Sequence, residues 1–355
     1  EMKTKPTQYA TRTLNSAGIH PDFIVCRGEQ FMDKPRREKL SVFCNVKPEA
    51  VITAPDVSSI YEIPALFESQ DLSATILKKF RMKPHETDLI KWKRMASVQV
   101  TAKRTVKIGV VGKYFATGDY TLSDSYISVI EALKAAAWSN KAKIQLDWIN
   151  SEDFETHPKS ISRLRDYDGI LVPGGFGTRG IEGIIAAIRY CREKKVPYFG
   201  LCYGMQLACV EFARHVLGKT TAHTVEVDEA TIDPIIHVSP IQLKNIRENR
   251  YGGTMRLGAF DCKVKSGTLT AKAYRISVIS ERHRHRYEFN NDYAQAIEKK
   301  GLMITGVNPG SGLVEIVELK NHPFFIGVQF HPEFKSRPLS PHPLFKAFIA
   351  AALKK

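Results

Sequence analysis

The chain has 355 residues and a mass of 40.0 kDa, with 52 Lys and Arg against 37 Asp and Glu, a formal charge of +15. At about 100–200 residues per domain this length predicts two domains, each able to bury a core. Apolar content of 43% and charged content of 25% exclude disorder as the dominant state, and no run of 18 apolar residues is present to span a membrane.

Glu1-Met2-Lys3-Thr4-Lys5-Pro6 has no apolar stretch of the kind a secretory signal needs. A start on Glu rather than Met predicts that a longer parent protein exists. The last residues, Ala351-Ala352-Leu353-Lys354-Lys355, carry no lipidation or retention signal. Cys26, Cys44, Cys191, Cys202, Cys209 and Cys262 form no Cys-x-x-Cys pair, which argues against a disulfide framework and a structural zinc site and predicts a reducing, cytoplasmic setting.

Charge is unevenly spread. Residues 1–77 net −1, residues 78–104 net +7 from nine basic and two acidic side chains, and the remaining 251 residues net +9. No aromatic-interleaved surface or nucleic-acid motif accompanies the basic stretch, so nucleic acid is not an expected partner. A solvated connector, or a general attraction for anionic small molecules, accounts for it.

In chain order, residues 22–27 read as a short buried strand. Residues 38–44 read as a helical turn with Leu40 and Phe43 on one side, residues 50–52 as a strand, and residues 65–70 as a helix introduced by Ile60-Tyr61-Glu62-Ile63-Pro64. Residues 81–104 read as a basic connector with a helical patch at Leu89, Trp92 and Met95. Residues 106–111 then form a strand, and residues 124–138 a helix with Ile127, Ile130, Leu133 and Ala137 inward. Residues 144–149, 169–173 and 197–201 are further strands, with residues 181–191 helical and a later strand at 327–330. Strands alternating with helices predict a parallel sheet covered on both faces, with ligands beyond its carboxyl edge.

Gly200-Leu201-Cys202-Tyr203-Gly204-Met205-Gln206 joins a buried strand to an apolar helix, with Gly two residues before and two after Cys202. This is the form of a nucleophile elbow, whose tight turn admits only small flanking residues. There the sulfur faces a helix N-terminus, where partial positive charge suits a thiolate. A free thiol is only about 3% ionised at pH 7, so a base is needed as well. The plain alternative is a buried structural cysteine, and the other five are read that way.

His331, in Gln329-Phe330-His331-Pro332-Glu333-Phe334, is the base candidate, with Glu333 placed to orient its imidazole. A lone His is by default a packing residue, and 129 residues separate it from Cys202, so pairing the two rests on fold logic. Pro173-Gly174-Gly175-Phe176-Gly177 follows a strand and could aim amides at an oxyanion, or be a simple turn. Gly109-Val110-Val111-Gly112-Lys113 is not an ATP loop: its glycines are three apart and Tyr114 replaces the Ser or Thr. In residues 281–287, Arg and His alternate with period two, placing three Arg on one strand face and His283 and His285 on the other. No Cys or Asp partner for a metal lies nearby, and no metal site is expected.

Together, residues 171–177, the Cys202 elbow, Gly252-Gly253-Thr254-Met255-Arg256-Leu257-Gly258, residues 281–287 and His322-Pro323-Phe324-Phe325 leading to residues 331–334 resemble a class I glutamine amidotransferase domain. More narrowly they are similar to the CTP synthase family. The resemblance covers nearly the whole chain. It implies a flavodoxin-like α/β amidotransferase domain at 105–355, a connector at 81–104, and at 1–80 the end of a P-loop-type α/β synthetase domain.

It implies a triad of Cys202, His331 and Glu333, with Gly175, Tyr203, Gly204, Met205, Gln206, Glu226 and Arg286 around bound glutamine. Tyr203 stands where many members carry Leu, and only its backbone amide is expected to matter. Lys3, Thr4, Lys5, Pro6, Thr7 and Gln8, with Lys39, match positions for UTP or inhibitory CTP, and Arg27 and Val57 match positions at the ATP site. Two lysines two residues apart can clamp a triphosphate as point charges.

The implied reaction is glutamine hydrolysis through a thioester, with ammonia aminating ATP-activated UTP to CTP. Magnesium assists the ATP step, GTP activates the glutaminase step, and residues 244–256 would be the sensing lid. No group is expected to be bound permanently, and homotetramers and filaments are implied. The family's Gly-Lys phosphate loop and magnesium ligands are expected upstream of Glu1, which would leave this chain the glutaminase step alone. Two rival readings are an amidotransferase subunit for another acceptor and a non-catalytic regulatory or assembly fragment with residues 60–64 as a contact surface.

Overall fold

A computed structural model describes residues 3–86, 88–113, 116–117, 120–121, 126–238 and 255–355, and the chain divides into two units, Glu1–Ser97 and Val98–Lys355. The first unit contains helix α1 (Lys5–Ser16), strand β1 (Ile24–Gly28), α2 (Lys34–Cys44), β2 (Val51–Pro55), α3 (Ile63–Glu68) and α4 (Leu72–Lys79). Strands β1 and β2 pair in parallel, Ile24 opposite Val51. On the other edge of β2 the Gln70 side chain substitutes for a third strand. It accepts from Thr53 N and donates to Thr53 O, both at 2.8 Å.

Helix α2 starts four residues earlier than the apolar pattern predicts, because Asp33 caps it by accepting from Arg36 N at 3.0 Å. Its buried face is Leu40 and Cys44, one helical turn apart, while Phe43 is 64% exposed. The expectation that Leu40 and Phe43 share an inner side is thus corrected: the small core around Ile24, Val46 and Val51 takes the i, i+4 pair. Helix α5 (Ile90–Thr101) contains the boundary between the units, and its Trp92 donates to Tyr61 O at 2.7 Å.

The second unit runs through β3 (Arg104–Gly112), β4 (Ala116–Thr117), β5 (Tyr120–Thr121), α6 (Ile127–Ser139), β6 (Ala142–Asn150), α7 (Glu152–Thr156), β7 (Gly169–Val172), α8 (Ile181–Lys194), β8 (Tyr198–Leu201) and α9 (Tyr203–His215). It continues with β9 (Ala222–Thr224), β10 (Asp233–Val238), β11 (Arg256–Val264), α10 (Leu269–Tyr274), β12 (Val278–His285), β13 (Tyr287–Phe289), α11 (Ala294–Lys299), β14 (Leu302–Val307), β15 (Val314–Leu319), β16 (Phe325–Val328) and α12 (Pro343–Ala352).

Nine strands form one sheet in the order β12-β11-β14-β15-β16-β8-β7-β3-β6. The last five are parallel to one another, and relabelled by chain order they read 2-1-3-4-5 from the β6 edge, the flavodoxin-like arrangement. Strands β7, β8 and β16 are buried at every position, as strands covered on both faces must be. The sheet is nonetheless mixed rather than purely parallel. Strands β15, β14, β11 and β12 extend it antiparallel, with short hairpin loops joining β14 to β15 and β15 to β16.

One face is covered by α8 and α9, the other by α6 and α12, where Phe345 and Phe348 pack on Phe199 at 5.1 and 5.8 Å between ring centres. On α6, Ile130, Leu133 and Ala137 face inward as expected. Ile127, in its first turn, is half exposed and does not. A separate sheet of β13, β10 and β9 stands beside the large one.

Helix α9 lies unusually close to the strands. A Cβ on Gly204 would sit 2.4 Å from Val172 O, and one on Gly200 2.7 Å from the Gly204 carbonyl carbon. Gly204→Ala should therefore destabilise the protein by about 1–3 kcal/mol through overpacking against backbone that cannot yield. Gly310→Ala, with only a side-chain oxygen at 3.5 Å, should stay within about 0.5 kcal/mol. Denaturant unfolding of the two variants checks this, and equal stability would contradict the close approach.

Candidate active site

The carboxyl ends of β3, β7, β8 and β16 each deliver a residue to one place. After β8, Cys202 is the N-cap of α9 with φ 48° and ψ −97°, outside the regions L-residues favour. Such strain costs about 1–3 kcal/mol and persists only when surroundings impose it. Here Cys202 N donates to Val328 O at 2.7 Å, and Cys202 O accepts from Gln206 N at 3.1 Å. Cys202 is 5% exposed.

His331 follows β16, its backbone N donating to Arg282 O at 2.8 Å and its Nδ1 lying 2.7 Å from Glu333 Oε1. Burial is the largest single influence on His331 and disfavours its charge. The hydrogen bond and charge of Cys202, then those of Glu333, outweigh burial and raise the imidazole to about 10. The three residues expected as a triad are thus adjacent. The 129-residue gap closes because β16 pairs with β8 in register, Val328 opposite Leu201.

After β7, residues 174–177 lie against these groups. A Cβ on Gly174 would come within 2.7 Å of His331 Cε1, so only glycine lets the loop approach the imidazole. Gly177 is held from three directions. Its oxygen accepts from Lys113 Nζ at 2.7 Å and Tyr203 Oη at 2.9 Å, and its nitrogen donates to Glu226 Oε1 at 3.0 Å. The expectation that Tyr203 serves only through its amide is corrected here, since its phenol holds the loop and its ring lies under the Lys113 ammonium, 4.8 Å away.

Lys113 is a site residue that motif reading misses, because its run resembles a failed phosphate loop; the signal for it is a lysine just past the end of a parallel strand. Burial lowers its ammonium to about 8, against the pull of Glu226 and Glu155. Burial raises Glu226, opposed by the Gly177 amide and by Lys113 and Arg286. Glu226 thus lies against the loop at Gly177, with Arg286 close enough for their charges to interact. Met205 and Gln206 turn their side chains inward instead. Met205 lies beneath Gly327, and Gln206 donates to Tyr287 O at 3.0 Å, so only their backbone is available to a ligand. A cleft of about 560 Å³ bordered by Glu155, Thr178, His223 and Val227 adjoins the Gly177–Glu226 contact.

Cys191, Cys209 and Cys262 are buried, and burial pushes their thiols up, Cys209 to about 12. None is poised to react. His283 and His285 face inward from β12 while Arg282 and Arg284 face out, and no group of three or more His, Cys, Asp or Glu suited to a metal occurs among the described residues. The expected lid lies outside the described residues except for Met255 and Arg256, and Arg256 reaches Glu315 at 2.8 Å and Glu288 at 3.3 Å.

In the first unit, a cavity of about 40 Å³ is lined by Lys3, Thr4, Thr7 and Arg27 among others, bringing together parts of the two expected nucleotide sets. Arg27 pairs with Asp56 at 2.9 Å, beside Val57. Gln8 donates to Thr4 Oγ1 at 3.1 Å, while Lys5, Pro6 and Lys39 are exposed.

Two family models match the chain, Glutamine amidotransferase class-I over residues 121–351 and CTP synthase N-terminus over residues 1–82. It is 48% identical to a CTP synthase of Trichormus variabilis and 47% to one of Geobacillus kaustophilus, with 99% and 100% of the chain aligned. The chain spans just under two thirds of these relatives, 63% and 65% of their lengths. A solved glutaminase domain of Trypanosoma brucei CTPS with bound acivicin is 36% identical, with TM-score 0.65 over 70% of this chain and 94% of that one. With the two models matched in chain order and a solved CTPS glutaminase domain 36% identical, the chain belongs to the class I glutamine amidotransferases and, among them, to the CTP synthase family.

Proposed function

We propose that residues 105–355 are a glutaminase domain that hydrolyses glutamine at Cys202 and, in the full-length enzyme, supplies ammonia for ATP-dependent amination of UTP to CTP. The observation that carries this reading is the contact of His331 with both Cys202 and Glu333 at the end of adjacent parallel strands. The Cys202 thiolate attacks the side-chain carbonyl carbon of glutamine, and His331 delivers its proton to the departing nitrogen, leaving a glutamyl thioester and ammonia. Neutral His331 then takes a proton from water as the water attacks the thioester, restoring Cys202 and releasing glutamate. Glu333 orients the imidazole and steadies its charge. Arg286 and Glu226 suit the α-carboxylate and α-ammonium of glutamine.

The match of residues 1–82 to the CTP synthase N-terminus supports UTP over another acceptor. Lys3–Gln8 and Lys39 are assigned to UTP or CTP, and Arg27 and Val57 to the ATP site. Activation by GTP, a tetrameric assembly and a cytoplasmic setting are part of the same proposal. No Gly-x-x-x-x-Gly-Lys-Ser/Thr loop occurs in residues 1–355.

In the full-length enzyme, Cys202→Ala should abolish CTP formation from glutamine and leave formation from ammonia intact, followed by the absorbance change as UTP becomes CTP. Loss of both activities would contradict two separate sites. His331→Ala should lower glutaminase turnover about 10²–10⁴-fold and Glu333→Gln less. A His331→Ala enzyme of near-normal turnover would remove the triad from the mechanism.

The raised His331 also links stability to pH. The folded state holds a proton that an unfolded histidine releases above about pH 6.5. The stabilisation is complete below that pH and is lost as pH rises through about 10. The melting temperature of the wild type should fall relative to that of His331→Ala between pH 7 and 10. A constant difference would show that the imidazole is not stabilised by its two neighbours.

A further inference from the structure

We propose that Gln329 is a further catalytic residue of the glutaminase reaction, its side-chain amide donating a hydrogen bond to the Cys202 sulfur in a direction fixed by a buried chain of polar groups behind it. The inference rests on Cys202 being the glutaminase nucleophile. Gln329 is fully buried just past β16, with Nε2 3.6 Å from Cys202 Sγ, within reach of a hydrogen bond to sulfur. It lies two residues before His331. In extended chain, residues two apart point the same way, so one segment brings both an amide and an imidazole to the same sulfur.

The two ends of a glutamine amide differ only in their partners, and here the partners decide. The backbone oxygen of Tyr287 can only accept, so the Gln206 group 3.0 Å from it is the NH₂ end. Its second hydrogen points to the Gln329 atom 3.3 Å away, which must then be Oε1. That leaves Gln329 Nε2 facing Cys202. Reversing Gln329 would set two donors against each other and aim an oxygen at the sulfur.

The direction continues beyond Tyr287. His285 Nδ1 lies 3.1 Å from the same Tyr287 oxygen, and His283 Nδ1 lies 2.8 Å from His285 Nε2. Burial, the largest influence, lowers both imidazoles, His283 to about 2 and His285 to about 3, so each carries one N–H. His285 must spend its hydrogen on Tyr287 O, which makes its Nε2 the acceptor for His283 Nδ1–H. His283 Nε2 is left as an acceptor 3.6 Å from Glu315 Oε2, and neither atom has another partner. Burial raises Glu315 despite Arg256 beside it. Every group from His283 to Cys202 therefore has a single consistent orientation.

A hydrogen bond to a charged acceptor is roughly twice as strong as one between neutral groups. The amide thus favours the sulfur as thiolate over thiol and adds to the effect of His331. Its loss should act on the reactivity of the thiol, not on the hold on glutamine.

The test compares wild type, Gln329→Met and Gln206→Met in the full-length enzyme, each checked for folding by its thermal transition. Alkylation of Cys202 by iodoacetamide is measured from pH 5 to 9 with peptide mapping, alongside kcat and KM for glutamine. The expected result for Gln329→Met is a reactivity profile displaced upward by about one pH unit, hence about 10-fold slower labelling on its acidic limb. Its kcat should fall by a similar factor with KM within about 2-fold. Gln206→Met, which removes the orienting donor, should shift the profile in the same direction by less, and it stands in if Gln329→Met does not fold. A profile superimposed on wild type in a folded variant overturns the role of Gln329. A wild type labelled elsewhere than Cys202 overturns the nucleophile itself and, with it, this inference.

Discussion

The backbone of Cys202, held at φ 48° and ψ −97° between a strand and a helix, is the constraint on which the rest of the site depends. An L-residue left to itself would relax out of this geometry. It cannot, because the chain on both sides is immobilised. Cys202 N is tied to Val328 O on the neighbouring strand, and α9 is drawn so close to the sheet that Gly204 has Val172 O where a Cβ would be. The strain raises the sulfur above the carboxyl edge of the sheet and points it at whatever the adjacent strands deliver. Strand β16 delivers His331, β7 delivers Gly174 against the imidazole, and β3 delivers Lys113 to the loop that follows.

Around the sulfur, charge is arranged by burial as much as by pairing. His331 is charged despite burial because two acceptors face it, while His283 and His285 are neutral because burial prevails and Arg256 and His331 add repulsion. Placing a neutral, directional chain of polar groups behind Cys202 and a charged pair in front of it avoids two cations competing for one sulfur. Within that chain Gln206, Gln329, Tyr287 and His285 all find partners, which matters where each orphan costs about 1–3 kcal/mol. The Gly177 peptide shows the same economy, with Lys113, Tyr203 and Glu226 satisfying its oxygen and nitrogen from three separate elements.

The first unit follows a different logic. Its core is small, two parallel strands with Leu40 and Cys44 beneath them, and Gln70 finishes the β2 edge that another strand would otherwise occupy. Its chemistry-bearing residues gather at the amino end of α1 and the carboxyl end of β1, where Lys3, Thr4, Thr7 and Arg27 border a small cavity. These are phosphate-compatible groups, with Cys26, Met32 and Leu40 completing the lining.

Local spacing made part of this legible. Glycines two residues either side of Cys202, between an apolar strand and an apolar helix, specify the elbow because steric exclusion acts within five residues. Glu333 two residues after His331 specifies its orienting partner for the same reason, and the apolar runs ending at Val172, Leu201 and Val328 specify buried strands. The conformation and chemistry of each short segment thus follow from its own residues, whereas which segments meet depends on how the chain packs. Cys202 and His331 are joined by the register of β16 on β8, and the antiparallel strands extending the sheet, the Tyr203 phenol on Gly177, Lys113 at the loop and Gln329 on the sulfur all depend on neighbours remote in the chain. Even the exposed Phe43 and Ile127, apolar at helical spacing, were decided this way. Periodicity says which residues share a helix face, but only the element packed against that face decides how far along it water is excluded.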